Sequence, residues 1–261
     1  MKLRIVFICL LVAAANSMAV AQLMERENVD AKIYAGTRPE AGDFGFTLAA
    51  GYAEIKEMAD EDTDYRGFPL MNFNYYVSNN LEAVIGIQVY NLSEKFNGEL
   101  LDAVGLEIDT EKESNFRVTP GVNYHFAPSN FLDTYLGVSA IVGTEKNEVV
   151  TADRTSLTGD YASEHFSKST FVTGFDFRFG VRTFIADLPF ALGAEFGING
   201  VNHSNLQYET TTESSIGGVT TKQTFYTKEA DAAAAKYKSL EYKKFEMGSN
   251  VRLVLTYYFR K

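Results

Sequence analysis

The fold class that the sequence predicts is all-β, an eight-stranded antiparallel up-and-down transmembrane β-barrel. Eight segments of strand length alternate apolar with polar side chains, as strands with two different faces do. The links between these segments are alternately long and short. After residues 1–21 the chain has no run of about 20 apolar residues, so we expect no membrane-spanning helix.

The eight predicted strands are 10 to 18 residues long, enough for a tilted strand to cross a bilayer. In chain order they are residues 43–55, 68–77, 81–91, 115–126, 134–144, 169–186, 190–200 and 245–259. An even count brings both ends of the chain to one side of a membrane. Short turns on that side and long loops on the other are typical of bacterial outer-membrane barrels, whose turns are periplasmic and whose loops are extracellular.

The segment 245–259 closes the predicted barrel. From Val251 to Phe259 its odd-numbered side chains are apolar or aromatic, whereas the even-numbered ones include Arg252 and Thr256. A strand needs partners for its backbone groups, and we expect the first strand to supply them. In the preceding loop, residues 227–240 hold four successive alanines with Lys and Glu, which predicts a short helix or a rigid extension of the last strand.

The N-terminal segment resembles a secretory signal peptide. Lys2 and Arg4 precede an apolar run and then small residues, so we expect residues 1–21 to be removed, with 22–42 as a periplasmic leader and 43–261 as the barrel. Cys9, the one cysteine, lies inside the apolar run, so the mature chain has no disulfide. These features predict localisation in the cell outer membrane.

The charge balance is acidic, with 24 Lys and Arg against 34 Asp and Glu. Nucleic-acid binding needs a basic surface, so we expect no nucleic acid as a partner. Four arginines, 117, 178, 182 and 252, fall on the strand face opposite the aromatic residues. An arginine facing lipid at mid-bilayer would cost roughly 2–4 kcal/mol, so these side chains should face the lumen.

This assignment of side chains to an outer and a lumen face predicts two sets of residues. The first is a periplasmic girdle of aromatic side chains near the strand ends, Phe44, Tyr75, Tyr124, Phe126, Phe190, Tyr257 and Phe259. The second is a lumen charge cluster, Glu82, Arg117, Asp176, Arg178, Arg182, Glu195, Glu246 and Arg252. Because buried charges must be paired, we interpret the cluster as a plug that fills the narrow lumen; a gated or narrow pore is the alternative.

The chain therefore resembles the small eight-stranded outer-membrane barrels, the group of OmpA-type transmembrane domains and OmpW-like proteins, in the style of Bacteroidota. The resemblance rests on the strand pattern, the loop alternation and the terminal segment from Leu253 to Phe259. In that group a final aromatic is read by the barrel assembly machinery, which the resemblance implies as a partner. Here Arg260 and Lys261 follow the aromatic, and we expect none of the peptidoglycan-binding domain that full-length OmpA-type proteins carry.

Catalytic and metal sites receive little support. Asp60, Asp62 and Asp64 have calcium-loop spacing, but Tyr65 stands where such a loop needs Gly. A weak divalent-cation site between this acidic loop and lipopolysaccharide phosphates stays open. Some barrels of this size are lipid A deacylases or acyltransferases that use His and Ser, and three His–Ser neighbours occur in the chain, His125 with Ser129, His165 with Ser163 and His203 with Ser204. None has a patterned acid, so no triad is indicated.

The predicted function is that of a non-enzymatic outer-membrane barrel with a plugged lumen. Its role would be structural, or interaction through its extracellular loops, as in an accessory subunit of an outer-membrane complex. The alternatives are a narrow channel for small or hydrophobic solutes and a lipid A-modifying enzyme. We expect no cofactor and no metal; the expected partners are outer-membrane lipid and lipopolysaccharide and other outer-membrane proteins.

Overall fold

The computed structural model describes residues 37–51, 70–99, 105–130, 132–155, 159–185 and 188–259. These residues form strands and connections, and among them no helix is long and apolar enough to cross a membrane. The strands are β1 Phe44–Gly51, β2 Leu70–Ser78, β3 Leu81–Glu99, β4 Gly105–Ala127, β5 Asp133–Thr155, β6 Tyr161–Phe184, β7 Phe190–Ser204, β8 Tyr208–Ile216, β9 Val219–Thr227 and β10 Lys244–Phe259. The predicted signal peptide, most of the leader and the acidic loop 56–66 lie outside the described residues.

Eight of the strands close into a barrel. Strands β1 to β7 pair with their chain neighbours, and β10 pairs with β7 on one side and β1 on the other. The pairing of β1 with β10 runs from Phe44 opposite Phe259 to Gly51 opposite Arg252. The prediction of an eight-stranded antiparallel up-and-down barrel, closed by its first and last strands, is therefore confirmed. Closure removes the free sheet edges that could not be satisfied in lipid.

The two ends of the barrel differ. Short connections lie at the end that holds Phe44 and Phe259, here called the turn end. At the opposite end, the loop end, β3 to β6 continue well beyond the described parts of the other strands of the ring. The predicted loops 92–114 and 145–168 are wrong in large part, because β3 pairs with β4 as far as Glu99 opposite Leu106, and β5 pairs with β6 as far as Arg154 opposite Tyr161. Most side chains on both faces of this part are at least partly exposed, so here backbone pairing is not accompanied by apolar alternation.

A further hairpin lies within the predicted last loop. Strand β7 leaves β6 where Ser204 pairs with Phe171, and β8 pairs with the next part of β6, starting at Glu209 opposite Ser167. Strand β9 then pairs with β8 through a turn at Gly217 and Gly218, whose φ angles of 58° and 79° suit glycine. We call the projecting sheet, the outer parts of β3 to β6 together with β8 and β9, the wall.

The helix predicted within residues 227–240 is wrong. Residues 228–243 form turns and irregular chain instead. Asp231 competes with helix formation, because its side chain accepts a hydrogen bond from Ala233 N and its carbonyl accepts one from Ala234 N. Tyr237 also forms a bridge to Tyr226 of β9, which holds the segment extended. An isolated helix of this length is marginal in water in any case.

The outer surface of the barrel is an apolar belt. Large side chains such as Phe73, Leu136 and Phe177 are more than half exposed, whereas Asn74 and Glu82, on the inner face, are buried. At the loop end, one outward-facing row holds Val89, Phe116, Thr144 and Phe171, and the next holds Asn91, Ser114, Lys146 and Ser169. The belt therefore stops between these two rows.

The height of the belt matches a membrane. On β4 it runs from Phe126 at the turn end to Phe116. At about 3.3 Å per residue and a tilt of about 45°, this stretch is about 25 Å tall, the height of the apolar band of outer-membrane barrels. An apolar outside and a polar inside indicate that the barrel spans a membrane.

Candidate functional site: the lumen

At the turn end, a hydrogen-bond network centred on Glu82 lies inside the barrel. The Glu82 carboxylate is fully buried and accepts hydrogen bonds of 2.6 Å from both Asn74 Nδ2 and Asn123 Nδ2. Arg182 donates to the same carboxylate over 3.2 Å and is itself buried. Four side chains from four strands thus meet in one network around this carboxylate, which we call the basal network.

Three tyrosines pack around Arg182. Its guanidinium donates to Tyr258 Oη over 2.6 Å and to Tyr76 Oη over 3.4 Å, and it lies 4.6 Å from the centre of the Tyr135 ring. Tyr135 in turn donates to Glu195 Oε1 over 2.7 Å. All three rings are almost completely buried. The basal network and these rings therefore form one packed group of buried side chains inside the barrel at the turn end.

Glycines on the inner face make room for these large side chains. A Cβ atom at Gly180 would lie 2.0 Å from Tyr135 Cζ, and one at Gly137 would lie 2.6 Å from Arg178 Nε. Neither approach is compatible with van der Waals contact. The absence of a Cβ atom at these inward glycines therefore makes room for the ring and the guanidinium inside the barrel.

A second ion cluster lies halfway along the lumen. Arg252 donates to both oxygens of Asp176, over 2.6 Å and 3.2 Å, and Arg178 donates to Asp176 Oδ2 over 3.1 Å. Glu195 lies 3.7 Å from Arg178 Nε and 3.6 Å from an Arg252 nitrogen. Arg178 also donates to Asn123 Oδ1, which links this cluster to the basal network.

The other two residues of the predicted cluster lie nearer the loop end. Arg117 pairs with Glu145, not with any predicted acid. Glu246 is half exposed, pairs with Lys244 and lies 3.7 Å from His203 Nε2. The structure therefore brings together six of the eight predicted residues in two connected clusters. One cluster is formed by Glu82 and Arg182, and the other by Asp176, Arg178, Glu195 and Arg252. Arg117 and Glu246 lie apart from both clusters.

The first residues of the described chain cover the base of the lumen. Arg38 Nε lies 3.4 Å from Asp133 Oδ2, and the guanidinium also bonds the carbonyl of Asn79 and lies 5.8 Å from the Tyr76 ring. The backbone N–H of Arg38 donates to Asn130 Oδ1 over 3.2 Å. Arg38 thus joins two turns at the turn end. From the sequence, the leader 22–42 is expected to be periplasmic, without a catalytic role and as a candidate contact for a partner protein, and nothing in its local pattern identifies the contact of Arg38 with Asp133.

His125 is buried between two carboxylates. Its Nε2 lies 3.3 Å from Glu82 Oε2, and its Nδ1 lies 2.8 Å from Asp133 Oδ2, an ionic contact without good hydrogen-bond alignment. The Ser129 hydroxyl donates to the Leu132 carbonyl instead of facing this ring. His125 and Ser129 therefore do not form a base–nucleophile pair.

The remaining histidines also contact carboxylates. His165 Nε2 lies 3.1 Å from Glu148 Oε1, and this hydrogen bond, together with the nearby Lys112, lowers the pKa of the Glu148 carboxyl. His203 Nδ1 lies 3.6 Å from Glu145 Oε2. In the part of the chain that the structure describes, no group of three or more His, Cys, Asp or Glu residues could hold a metal ion.

Above the central ion cluster the lumen opens into a cavity, here called the vestibule. It has a volume of about 600 Å³ and is lined mainly by amide, hydroxyl and charged side chains. The lining includes Asn72, Gln88, Thr119, Asn199, Asn250 and Arg252. The lumen therefore contains a polar cavity on the loop-end side of the central ion cluster.

The predicted girdle residues all lie on the outer surface at the turn end. Each is more than a third exposed, and several rings touch: the centroids are 4.8 Å apart for Phe44 and Tyr75, and 5.1 Å apart for Phe190 and Tyr257. The full set is Phe44, Tyr75, Tyr124, Phe126, Phe190, Tyr257 and Phe259.

Comparisons with known proteins add little to this description. No protein-family model and no curated protein matches the chain. Among solved structures, a major outer membrane protein from Thermus thermophilus aligns over 84% of this chain and 100% of its own length, with 12% sequence identity and a TM-score of 0.29. At that TM-score the likeness carries no inference about function.

Proposed function

We propose that this chain is a non-enzymatic outer-membrane barrel whose lumen is plugged and whose wall serves as an interaction surface. The observation that carries the proposal is the basal network, in which Glu82, Arg182 and three tyrosine rings are buried inside the barrel at the turn end. Side chains held this way leave no path for solutes. The central ion cluster adds a second barrier on the loop-end side.

The assignment to the outer membrane rests on the two surfaces of the barrel. A closed ring of strands satisfies every backbone group within lipid, and the apolar belt has the height that such a membrane requires. The predicted signal peptide would deliver the chain across the inner membrane. With the turn end in the periplasm, the wall projects to the outside of the cell, where outer-membrane lipid and lipopolysaccharide surround its base.

The wall supports the interaction role. Its face that continues the lumen carries four acidic residues at alternate positions of β4, Glu107, Asp109, Glu111 and Glu113. On the opposite face, Lys112 pairs with Glu148 at 3.5 Å. A rigid paired sheet presents such groups with less entropy loss on binding than a flexible loop. A neighbouring outer-membrane protein is the kind of partner we propose.

A truncation of the wall tests this role. Leu92 and Glu113 are directly opposed in the hairpin of β3 and β4, so an Asn-Gly turn can replace residues 93–112 without changing the register. We expect the truncated barrel to fold and to lose the proteins that copurify with the full chain in mild detergent. Unchanged copurification would contradict a role for this part of the wall, and recovery of the full chain alone would contradict the accessory-subunit proposal.

A narrow channel is the second candidate, because the vestibule already opens half of the lumen at the loop end. Movement of the basal network would complete such a path. Conductance of the reconstituted protein distinguishes the two functions, since the plugged barrel should conduct no ions. For a lipid A-modifying enzyme, the histidine contacts in the described residues give no support. Lipid A with an altered number of acyl chains in cells that express the protein would support this enzymatic function.

A further inference from the structure

The vestibule differs from the rest of the lumen in how its polar side chains are used. At the base, the amides of Asn74 and Asn123 are both committed to Glu82 at 2.6 Å. In the vestibule, the side chains of Asn72, Gln88, Thr119, Asn199 and Asn250 make no hydrogen bond within the described part of the chain. Five polar side chains that have no partner among these residues therefore line one cavity.

The charged groups of the vestibule, by contrast, already have partners. Arg252 and Arg178 share Asp176, and Arg117 pairs with Glu145. A ligand with a net charge would have to compete with one of these ion pairs. The cavity therefore favours an uncharged ligand.

The chemistry of these polar side chains further limits the class of ligand that the vestibule can bind. A carboxamide presents a donor and an acceptor side by side, which matches a pair of neighbouring hydroxyl groups. The lining of the vestibule includes no aromatic ring among the described residues, so it offers no stacking surface for a flat apolar ligand. Its volume of about 600 Å³ lies within the usual range for small-molecule sites.

We propose that the vestibule binds a small neutral polyhydroxylated solute, a monosaccharide or disaccharide, through the carboxamides of Asn72, Gln88, Asn199 and Asn250. This inference rests on the proposed function, since the plug makes the vestibule a closed-ended site. The solute enters from the loop end and leaves the same way.

The test is a titration of the refolded mature chain in a zwitterionic amine-oxide detergent, since sugar-headed detergents would compete. The probes are glucose and maltose, with gluconate and glucosamine as charged counterparts, and the readout is the chemical shift of side-chain amide resonances. We expect saturable shifts with the neutral sugars at millimolar concentration. Asn250→Leu should weaken binding by about two- to tenfold, the loss of one or two hydrogen bonds. The matched control Asn97→Leu, on the outer face of the wall, should not change it.

Three results would overturn the proposal. They are the absence of saturable shifts up to about 50 mM of either sugar, equal weakening by Asn97→Leu and Asn250→Leu, and tighter binding of gluconate or glucosamine than of glucose. Gel mobility of the folded barrel confirms that each variant folds. Ion flux measured on the same preparation tests the plug separately, so sugar binding can fail while the barrel remains closed, and a conducting barrel can still bind sugar.

Discussion

Replacing Glu82 with glutamine should destabilise the barrel strongly while leaving its shape unchanged. Glutamine has the size of glutamate but no charge, so Arg182, only 1% exposed, would lose its nearest carboxylate. Removal of one partner from a buried ion pair typically costs about 3–5 kcal/mol. The glutamine NH₂ would also face one of the two amide donors that now lie 2.6 Å from the carboxylate. We therefore expect Glu82→Gln to lower the free energy of unfolding by about 3–5 kcal/mol.

The assay is urea unfolding in detergent micelles, followed by far-UV circular dichroism and by gel mobility, because the chain has no tryptophan. The double variant Glu82→Gln/Arg182→Met removes both charges. Its loss should be smaller than the sum of the two single losses by about 0.5–3 kcal/mol. A loss below about 1 kcal/mol for Glu82→Gln, or additive losses in the double variant, would refute a plug held by this pair.

The remaining predictions concern three other positions. Arg38→Ala should cost about 1–3 kcal/mol, because a buried carboxylate at the base loses a charged donor, and it should raise amide hydrogen exchange at the turn end. Gly180→Ala should cost about 1–3 kcal/mol in the same unfolding assay, since the added Cβ displaces the Tyr135 ring. Glu148→Gln on the wall should cost less than about 1 kcal/mol. The hydrogen bond from His165 lowers the pKa of Glu148. The small contribution of this carboxylate to stability should therefore be fully present above the ordinary pKa of glutamate, and it should disappear as the pH falls through the lowered pKa. The unfolding midpoint measured as a function of pH checks this.

The membrane-spanning part of the fold was predictable because lipid imposes a strict rule on each strand. Val251 and Phe259 face outward and Arg252 faces inward, as alternation alone required. The wall follows no such rule, and residues 92–114 looked like a loop because they contain few apolar side chains. A signal was nevertheless present in β4, where acidic residues occupy the odd positions from Glu107 to Glu113 and other residues occupy the even ones.

The types of residue that line the lumen were predictable from the sequence, but the ion pairs that these residues form were not. Alternation places Arg117 and Glu246 on the inner face, but it does not show how far along the barrel each one lies. That position depends on strand register around the ring, which puts Glu145 beside Arg117 and leaves Glu246 at the exposed mouth. The Arg38 contact joins segments that are 95 residues apart, at Asp133, and only the folded chain brings them together.

The most direct test of the plugged barrel is potassium flux through proteoliposomes that contain the refolded mature chain, with insertion verified by resistance to urea extraction. The account predicts no flux above that of empty vesicles, and clear flux for the variant Tyr135→Ser/Arg182→Ser, in which the basal side chains are shortened. Sustained potassium flux through the unmodified chain at neutral pH would contradict the account, because the basal network would then not close the lumen.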